Sequence, residues 1–388
     1  MKRWSLVIVV SLVCFVQQSF AQNETKQIAI FTPFYLDSAY QQQQYVFGKQ
    51  FPKFLNPGLE FWQGAQIAID SLQAKGFNVA FHVFDIKSKE QKLLDVLLDS
   101  NMAKMDLLIG QVNVNEAALL AQFAKLREVP FININLPNSV NQTENPYYFI
   151  LNATLPTHFK AIYRHIQSKY PVDNIVLFKR KNEQDNMVSN LILEEGKRTA
   201  GIPLKIKVVE LPEGFNLDDI SPYITDEKHN VVIASSLDAT FAKKIVHGLN
   251  DIQEEYSSSV TVIGMPTWDQ VSFTEAQYKG IEIYYTTPFN FDPTNESIAH
   301  LTDWYKSRYF ARPSDMVFRG YEMIYKFSSL LTSHEGNLAL HPHLNGSNVF
   351  TQFHILPVYN NDRTKIDYWE NQKIYFVKLV NGEIAEIK

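Results

Sequence analysis

The residues best placed for chemistry are polar or aromatic side chains that directly follow predicted strands. Amides, hydroxyls and aromatic rings bind small polar molecules by hydrogen bonding and stacking. The candidate ligand-binding set is Tyr35, Gln111, Asn113, Asn115, Asn135, Ser235, Ser236 and Trp268. Each position also has a structural alternative, because Asn and Ser cap helices at such junctions and a tryptophan suits a core.

Motifs for covalent catalysis are absent from the sequence. It has no Gly-x-Ser-x-Gly elbow, no phosphate-binding loop, no dinucleotide fingerprint and no His-Glu-x-x-His pair. The acidic pairs at 218–219 and 254–255 suit a helix start and a solvated surface better than a general acid and base. The sequence therefore predicts a protein that binds without catalysing and that needs no cofactor.

A histidine-rich stretch near the carboxyl terminus is the remaining candidate for metal chemistry. His341 and His343 flank a proline, and His334 and His354 lie nearby. No cysteine or clustered carboxylate completes a tetrahedral set, so a polar loop is the favoured interpretation. No metal site is predicted.

Composition limits the possible partners. The chain has 388 residues, 45% of them hydrophobic and 20% charged, which is typical of a folded protein. Its formal net charge is −5, which argues against a nucleic-acid or anionic-membrane partner.

The amino-terminal segment predicts an export signal. Lys2 and Arg3 precede a short apolar run at 4–16, and small residues suit cleavage after Ala21. A retained anchor and lipidation at Cys14 are the alternatives, but the run is too short to span a bilayer and the lipobox is poor. Cys14 is the only cysteine, so the exported chain has no thiol. We expect a periplasmic or secreted protein.

The candidate residues sit in an alternating pattern of short apolar runs and longer helical patterns. This alternation predicts α/β architecture with parallel sheets and helices on both faces. Strands are predicted at 27–33, 78–84, 106–109, 130–134, 174–178, 204–211, 230–234, 260–263 and 281–284. Helices are predicted at 57–76, 90–99, 116–127, 156–170, 187–199, 239–249 and within 296–332.

Two further segments do not follow this rhythm. The glutamine-rich stretch at 37–50 is predicted to be a loop. In the tail, 350–357 and 373–379 alternate like an antiparallel pair, and Asn381-Gly382 is a turn signal.

Several segments resemble a known family in order and spacing. They include a Gly-Ala-x-x-Ala helix, a strand closing on Asp85, and a late helix pair with a Trp-Tyr cluster. These segments are 58–70, 83–85, 108–112, 129–132, 301–313 and 320–322. Together they resemble the type I periplasmic binding proteins, close to the leucine/isoleucine/valine-binding branch.

The resemblance implies two Rossmann-like lobes joined by three crossovers, closing on a ligand like a hinge. The implied division is a signal peptide at 1–21, a first lobe at 22–152 plus 287–345, and a second lobe at 153–286 plus 346–388. It also implies a solute-binding protein for transport or sensing, with a small-molecule ligand and, as protein partner, an ABC transporter permease or an envelope protein. The alternative is a cell-envelope interaction protein, such as a regulator of peptidoglycan synthesis, with a vestigial cleft.

The sequence departs from the family where amino-acid-binding members hold the ligand carboxylate. Val114 stands in place of a key serine, and Asn133, Asn135 and Pro137 replace a hydroxyl-rich run. Valine supplies no hydroxyl donor. The resemblance therefore implies the fold and a binding role, whereas the asparagine-rich rim favours neutral polar groups over the carboxylate of a free amino acid.

Overall fold

The computed structural model describes residues 24–333, 338 and 348–388. The predicted signal peptide, Cys14, His334, His341 and His343 lie outside the described residues. The strands are β1 (Lys26–Thr32), β2 (Tyr40–Gln41), β3 (Gln44–Tyr45), β4 (Val79–Asp85), β5 (Leu107–Gly110), β6 (Phe131–Asn133), β7 (Tyr148–Ile150), β8 (Asn174–Arg180), β9 (Ile206–Leu211), β10 (Asn230–Ala234), β11 (Val260–Ile263), β12 (Glu282–Thr287), β13 (Ile355–Tyr359), β14 (Ile366–Asn371), β15 (Tyr375–Val380) and β16 (Glu383–Ile387).

Helices alternate with these strands through most of the chain, and short 3₁₀ turns fill several junctions. The α-helices are α1 (Leu36–Ala39), α2 (Asn56–Ala74), α3 (Leu93–Leu98), α4 (Val114–Arg127), α5 (Leu155–Lys169), α6 (Glu183–Arg198), α7 (Leu217–Ile220), α8 (Ala239–Tyr256), α9 (Glu296–Tyr309) and α10 (Asp315–Ser333). The 3₁₀ turns are Lys53–Leu55, Ser100–Lys104, Ser221–Tyr223, Pro266–Gln270 and Ala276–Tyr278.

Two mixed sheets of seven strands each form the centres of two lobes. The first has the order β13-β14-β7-β6-β5-β1-β4, and the second has the order β16-β15-β12-β11-β10-β8-β9. Strands pair in parallel except at one edge of each sheet, where β13–β14, β12–β15 and β15–β16 pair antiparallel. The predicted α/β architecture with mostly parallel sheets is confirmed.

The central strands are buried on both faces, which explains their continuous apolar sequences. In β1, Ile28 and Ile30 pack into the cluster beneath α2 and α10, whereas Ala29 and Phe31 pack into the cluster beneath α3 and α4. A separate large cluster forms the core of the second lobe. Each lobe thus has a core of its own.

Two glycines let α2 and α10 pack closely on the first sheet. A Cβ on Gly64 would lie 1.9 Å from the carbonyl oxygen of Val317. A Cβ on Gly320 would lie 2.1 Å from the carbonyl oxygen of Phe61. Any side chain at either position would push the helices apart, so these glycines determine where the amino-terminal half of α10 lies.

Three crossovers connect the lobes, as predicted: β7 to α5, β12 to α9, and β14 to β15. Asn371, at the end of β14, is fully buried and ties all three together. Its amide nitrogen donates to the carbonyl oxygens of Leu151 at 3.3 Å and Pro288 at 3.4 Å. One side chain therefore holds the hinge segments in register.

The predicted organisation of the tail is wrong. The segments 350–357 and 373–379 do not pair with each other; β13 pairs with β14, and β15 pairs with β16. The strand β14 joins β7 of the first sheet, so residues 355–371 belong to the first lobe rather than the second. Alternation identifies a strand but not its partner, which accounts for the error.

Two local predictions have different outcomes. The turn at Asn381-Gly382 is confirmed, because both residues have positive φ between β15 and β16. The stretch at 37–50 is not all loop: β2 and β3 form a small hairpin there. In this hairpin the rings of Tyr40 and Tyr45 contact each other, and Tyr45 also contacts Phe47. Phe47 contacts Phe54, which in turn contacts Tyr35.

Candidate functional site

The first sheet brings its candidate residues together at one edge. Because β6, β5 and β1 are neighbours, the segments that follow them lie side by side at their carboxyl ends. Tyr35 follows β1 in a left-handed conformation, with φ of 57°. Asp85 at the end of β4 fixes this turn, since its carboxylate accepts the backbone N–H groups of Phe34 and Tyr35.

Asn113 and Asn115 lie at the exposed amino terminus of α4. The Asn113 side chain accepts the N–H of Glu116 at 3.1 Å, and the Glu116 carboxylate accepts the N–H of Asn113 at 2.8 Å. This capping box occupies the Asn113 side-chain oxygen, so that atom caps the helix, which was the alternative to ligand binding. Val114 and Asn115 are exposed beside it.

Asn135 and Gln111 bind to neighbouring backbone and side chains within the first lobe. The Asn135 amide accepts the N–H of Val112 at 2.7 Å and donates to its carbonyl at 3.0 Å. Gln111 is nearly buried and accepts the hydroxyl of Thr32 at 3.2 Å. Both side chains shape the edge of the cleft, and Asn135 remains half-buried.

In the second lobe, Ser236 belongs to an internal ion-pair network. Its hydroxyl donates to Asp185 at 2.8 Å and accepts from Arg180 at 3.0 Å. Arg180 also pairs with Asp185 at 3.1 Å and Asp238 at 2.9 Å. The hydroxyl of Ser236 is therefore occupied by protein partners.

Ser235 and Trp268 are also fully buried, so these second-lobe candidates do not line an open surface. The Trp268 ring packs on Phe273 at a centroid distance of 5.3 Å and lies over Gly264, where a Cβ would sit 2.2 Å from the indole. The 3₁₀ turn Pro266–Gln270 folds the ring back onto the end of β11. All three of these candidates are buried in this structure. The Ser235 Oγ and the Trp268 Nε1 have no hydrogen-bond partner among the described residues, whereas the Ser236 hydroxyl has several.

The structure adds a charged cluster that sequence reasoning missed. Asp269 and Tyr285 come from the second lobe, whereas Asp315 and Arg319 come from α10 of the first. Burial raises the pKa of Tyr285, and the charges of Asp269 and Asp315 raise it further. Burial lowers the pKa of Arg319, against the charges of Asp315, Asp269 and Glu322. The guanidinium lies 4.0 Å from the ring centroid of Phe289, at the second crossover.

This cluster is not saturated by internal bonds. Within the described part of the chain, the side chains of Asp269, Tyr285, Asp315 and Arg319 make no ion pair or side-chain hydrogen bond with one another. The Arg319 Nε is buried without any hydrogen-bond partner among those residues. Desolvation by the surrounding protein raises the pKa of Asp269, although its side chain keeps contact with solvent. The buried Nε of Arg319 is thus an atom of this cluster that lacks a partner in the described part of the chain, and a ligand bound at the junction of the lobes would supply one.

Comparison with solved structures identifies the architecture. The branched-chain amino acid substrate-binding protein LivJ of Streptococcus pneumoniae, solved with isoleucine, covers 94% of this chain and 99% of its own at 14% identity and a TM-score of 0.53. An ABC transporter substrate-binding protein of Desulfitobacterium hafniense in complex with Leu covers 94% and 99% at 12% identity and a TM-score of 0.57. A branched chain amino acid periplasmic ligand-binding protein of Burkholderia xenovorans covers 93% and 95% at 13% identity and a TM-score of 0.61. The chain has the type I periplasmic binding protein fold.

At these identities the likeness establishes the fold alone. No protein-family model and no curated protein sequence matches the chain. In the type I fold of this chain, the missed cluster joins segments at 269, 285 and 315–319, which come from both lobes. Asp269 directly follows the predicted candidate Trp268, and this was its only sequence signal. Nothing in the sequence indicated that α10 would reach the second lobe.

The part of the chain that the structure describes has neither a candidate metal site nor a candidate membrane-spanning helix. No group of three or more His, Cys, Asp or Glu side chains is placed to hold a metal ion within 24–333, 338 and 348–388. No helix in those same ranges is long and apolar enough to cross a membrane. His354 is exposed in this part of the chain.

Proposed function

We propose that the protein is an exported solute-binding protein that captures a small polar ligand between its lobes by hinge closure. One observation carries the proposal: the buried Nε of Arg319, on α10 of the first lobe, has no hydrogen-bond partner among the described residues, and the charge of Asp269 from the second lobe acts on this arginine. The named structural neighbours, which bind isoleucine or leucine, support a binding role on this fold.

The three crossovers supply the hinge in this proposal. Closure needs segments that change backbone angles while the lobes move as rigid bodies. The bonds from Asn371 to Leu151 and Pro288 keep these segments together during such a movement. The asparagine rim of the first lobe, with Asn115 and Asn135, then provides hydrogen bonds to neutral parts of the ligand.

Location and partners follow from the same proposal. Cleavage after Ala21 would release the protein into the periplasm or the medium. There it would deliver its ligand to an ABC transporter permease or present it to a receptor. We propose no cofactor and no catalytic step, because ligand capture by closure requires neither.

A thermal-shift screen of the processed chain tests binding. The library contains amino acids, peptides, sugars, sugar acids and nucleosides. A ligand at a hundred times its Kd stabilises the folded state by about 2.7 kcal/mol, so a true ligand raises the Tm clearly. No shift across the library would reject solute binding and favour the envelope-interaction alternative. Tight binding of leucine would contradict the proposal that the asparagine rim prefers neutral groups.

Spin labels then test closure. The exported chain has no cysteine, so Leu119→Cys in α4 and Gln184→Cys in α6 create a unique pair across the lobes. The ligand found in the screen should shorten the distance between these two labels. Leu94→Cys with Leu119→Cys is the matched pair within the first lobe, and its distance should not change. An unchanged distance across the lobes with bound ligand would contradict hinge closure.

A further inference from the structure

The charged cluster between the lobes indicates what the ligand carries. We infer that Arg319 anchors an acidic group of the ligand, so that the solute is a small organic acid rich in hydroxyl groups. The inference rests on the proposed function and names the ligand class of that site. The anchor lies on α10 beside the second crossover, away from the asparagine rim of α4 and β6.

The guanidinium of Arg319 is prepared for an anion. The close packing of α10 on α2 at Gly64 and Gly320 fixes the backbone that carries this side chain. The Phe289 ring lies 4.0 Å from its carbon and supports one face, which leaves the edge of the plane for a ligand. Arginine presents parallel N–H groups that match a carboxylate in a bidentate pair.

The protein itself leaves this cation without an acceptor. Among the described residues, no carboxylate pairs with Arg319, although Arg180 of the second lobe is paired with Asp185 and Asp238. A buried N–H group without an acceptor costs free energy, and a ligand that supplies the acceptor recovers it. Arg319 therefore differs from the structural arginine of this protein in the feature that matters for binding.

The neighbouring groups determine the rest of the ligand. The charges of Asp315, Asp269 and Glu322 all act on Arg319, and Tyr285, on which both aspartates act, adds a hydroxyl. Carboxylates accept hydrogen bonds, so these positions suit hydroxyl groups and disfavour a second acid. A simple dianion is thus excluded by repulsion, whereas a monoacid with several donors satisfies every group in the cluster.

A matched series of probes tests the anchor. Isothermal titration compares D-glucuronate, D-glucose and D-glucosamine, which differ in carrying an acid, no charge or a cation. The galacto series D-galacturonate, D-galactose and D-galactosamine, and any ligand from the thermal-shift screen, are titrated alongside. The inference expects binding of the acids and none of the matched neutral or cationic sugars.

Substitutions then locate the anchor. Arg319→Gln should weaken binding of the acid by about thirtyfold or more, which is the usual effect of removing one partner of a buried charge pair. Arg312→Gln removes an exposed arginine just before α10 and should leave the affinity unchanged. Asp269→Asn tests whether Arg319 binds the ligand or instead pairs with Asp269 when the lobes close. If Arg319 binds the ligand, the Asp269→Asn variant still prefers acids. Circular dichroism confirms that each variant is folded.

Other outcomes overturn the inference. Equal affinity of the wild type and Arg319→Gln for an acid would show that the anchor lies elsewhere. A ligand without an acidic group would do the same while leaving the proposed solute-binding function intact. If Asp269→Asn loses the preference for acids to the same extent as Arg319→Gln, the two residues serve to hold the lobes closed and do not bind the ligand. Absence of any binding would reject the proposed function and the inference with it.

Discussion

Asn115 and Trp268 both follow a central strand by a few residues, one in each lobe, yet their surroundings are opposite. Asn115 is exposed at the start of α4, whereas Trp268 has no exposed surface. The segment after β5 leads straight into a capped helix, and Asn113, Val114 and Asn115 at its start are exposed. The segment after β11 is a 3₁₀ turn that folds back over Gly264. A position after a strand therefore does not decide exposure; the shape of the next segment does.

Buried carboxylates extend this comparison between the lobes. In the second lobe, Asp185 pairs with Arg180 and accepts the hydroxyl of Ser236. In the first lobe, Glu322 accepts the N–H groups of Phe350 and Thr351 through one oxygen. Its other oxygen has no hydrogen-bond partner among the described residues. The second-lobe acid is paired with a cation, whereas burial raises the pKa of Glu322 to about 7.

The largest predicted effect is on the core of the second lobe. Trp268→Ala should lower the free energy of unfolding by about 4 kcal/mol, because it removes a fully buried indole and leaves a cavity over Gly264. Urea denaturation measures the loss, and Trp268→Phe should lose clearly less. A loss below about 1 kcal/mol would mean that the ring is not part of the core.

Asp185→Ala should cost about 3 kcal/mol, because it leaves the half-buried Arg180 without its main partner. The matched control is Glu213→Ala. Glu213 lies 3.6 Å from the same guanidinium but is 72% exposed, so its loss should change stability by less than about 1 kcal/mol. Equal effects of the two substitutions would contradict a special role for burial.

Glu322, the buried acid of the first lobe, should make the free energy of unfolding depend on pH. The pKa of Glu322 rises from 4.5 to about 7 on folding, mainly by burial, so the folded state holds this proton more tightly. Its contribution to stability is complete below pH 4.5 and is lost as the pH rises through 7, which amounts to about 3 kcal/mol. Glu322→Gln should remove this slope in denaturation curves taken from pH 4.5 to 7.

Other charged groups near Glu322 titrate elsewhere. Lys326, Arg319 and Tyr375 are the neighbours whose charges interact with it. Burial lowers the pKa of Lys326 to about 8, so its contribution falls above the range measured. A Glu322→Gln variant with the same slope as the wild type would assign the pH dependence to another group.

A smaller effect is expected at the edge of the first sheet. Asn135→Ala removes both hydrogen bonds to Val112 and should cost about 2 kcal/mol. Hydrogen exchange of the Val112 amide reports the same loss locally. Asn138→Ala, at an exposed position of the same segment, is the control. An unchanged Val112 exchange rate in Asn135→Ala would contradict the pairing.

The smallest effect separates two neighbours on α4. Asn115→Ala should change stability by less than about 0.5 kcal/mol, since the side chain is exposed and makes no capping bond. Asn113→Ala should cost about 1 kcal/mol through loss of the capping box. Reversed magnitudes, measured by thermal denaturation, would show that the cap lies at Asn115.

The sequence predicted the positions of many strands and helices correctly, but it did not predict which strands pair or which side chains are in contact. The apolar runs that became β1, β5 and β10 were located correctly because buried parallel strands leave a continuous apolar signal. The segment 350–357 was paired with 373–379 instead of with β14, since alternation contains no information about pairing. Ser236 was predicted from its position after β10, but the buried Asp185 that binds it lies 51 residues away.

The sequence by itself determined most of the strands and helices and hence the α/β architecture, because hydrophobic periodicity is a local property. The two lobes came from the family resemblance. The sequence also determined that Tyr35 and Asn115 would lie at strand ends. Only the tertiary structure decided which strand-end residues are open and which are core. It alone brought Asp269 and Arg319 together, because their proximity depends on three crossovers and on helix packing at Gly64 and Gly320, which are contacts between distant segments.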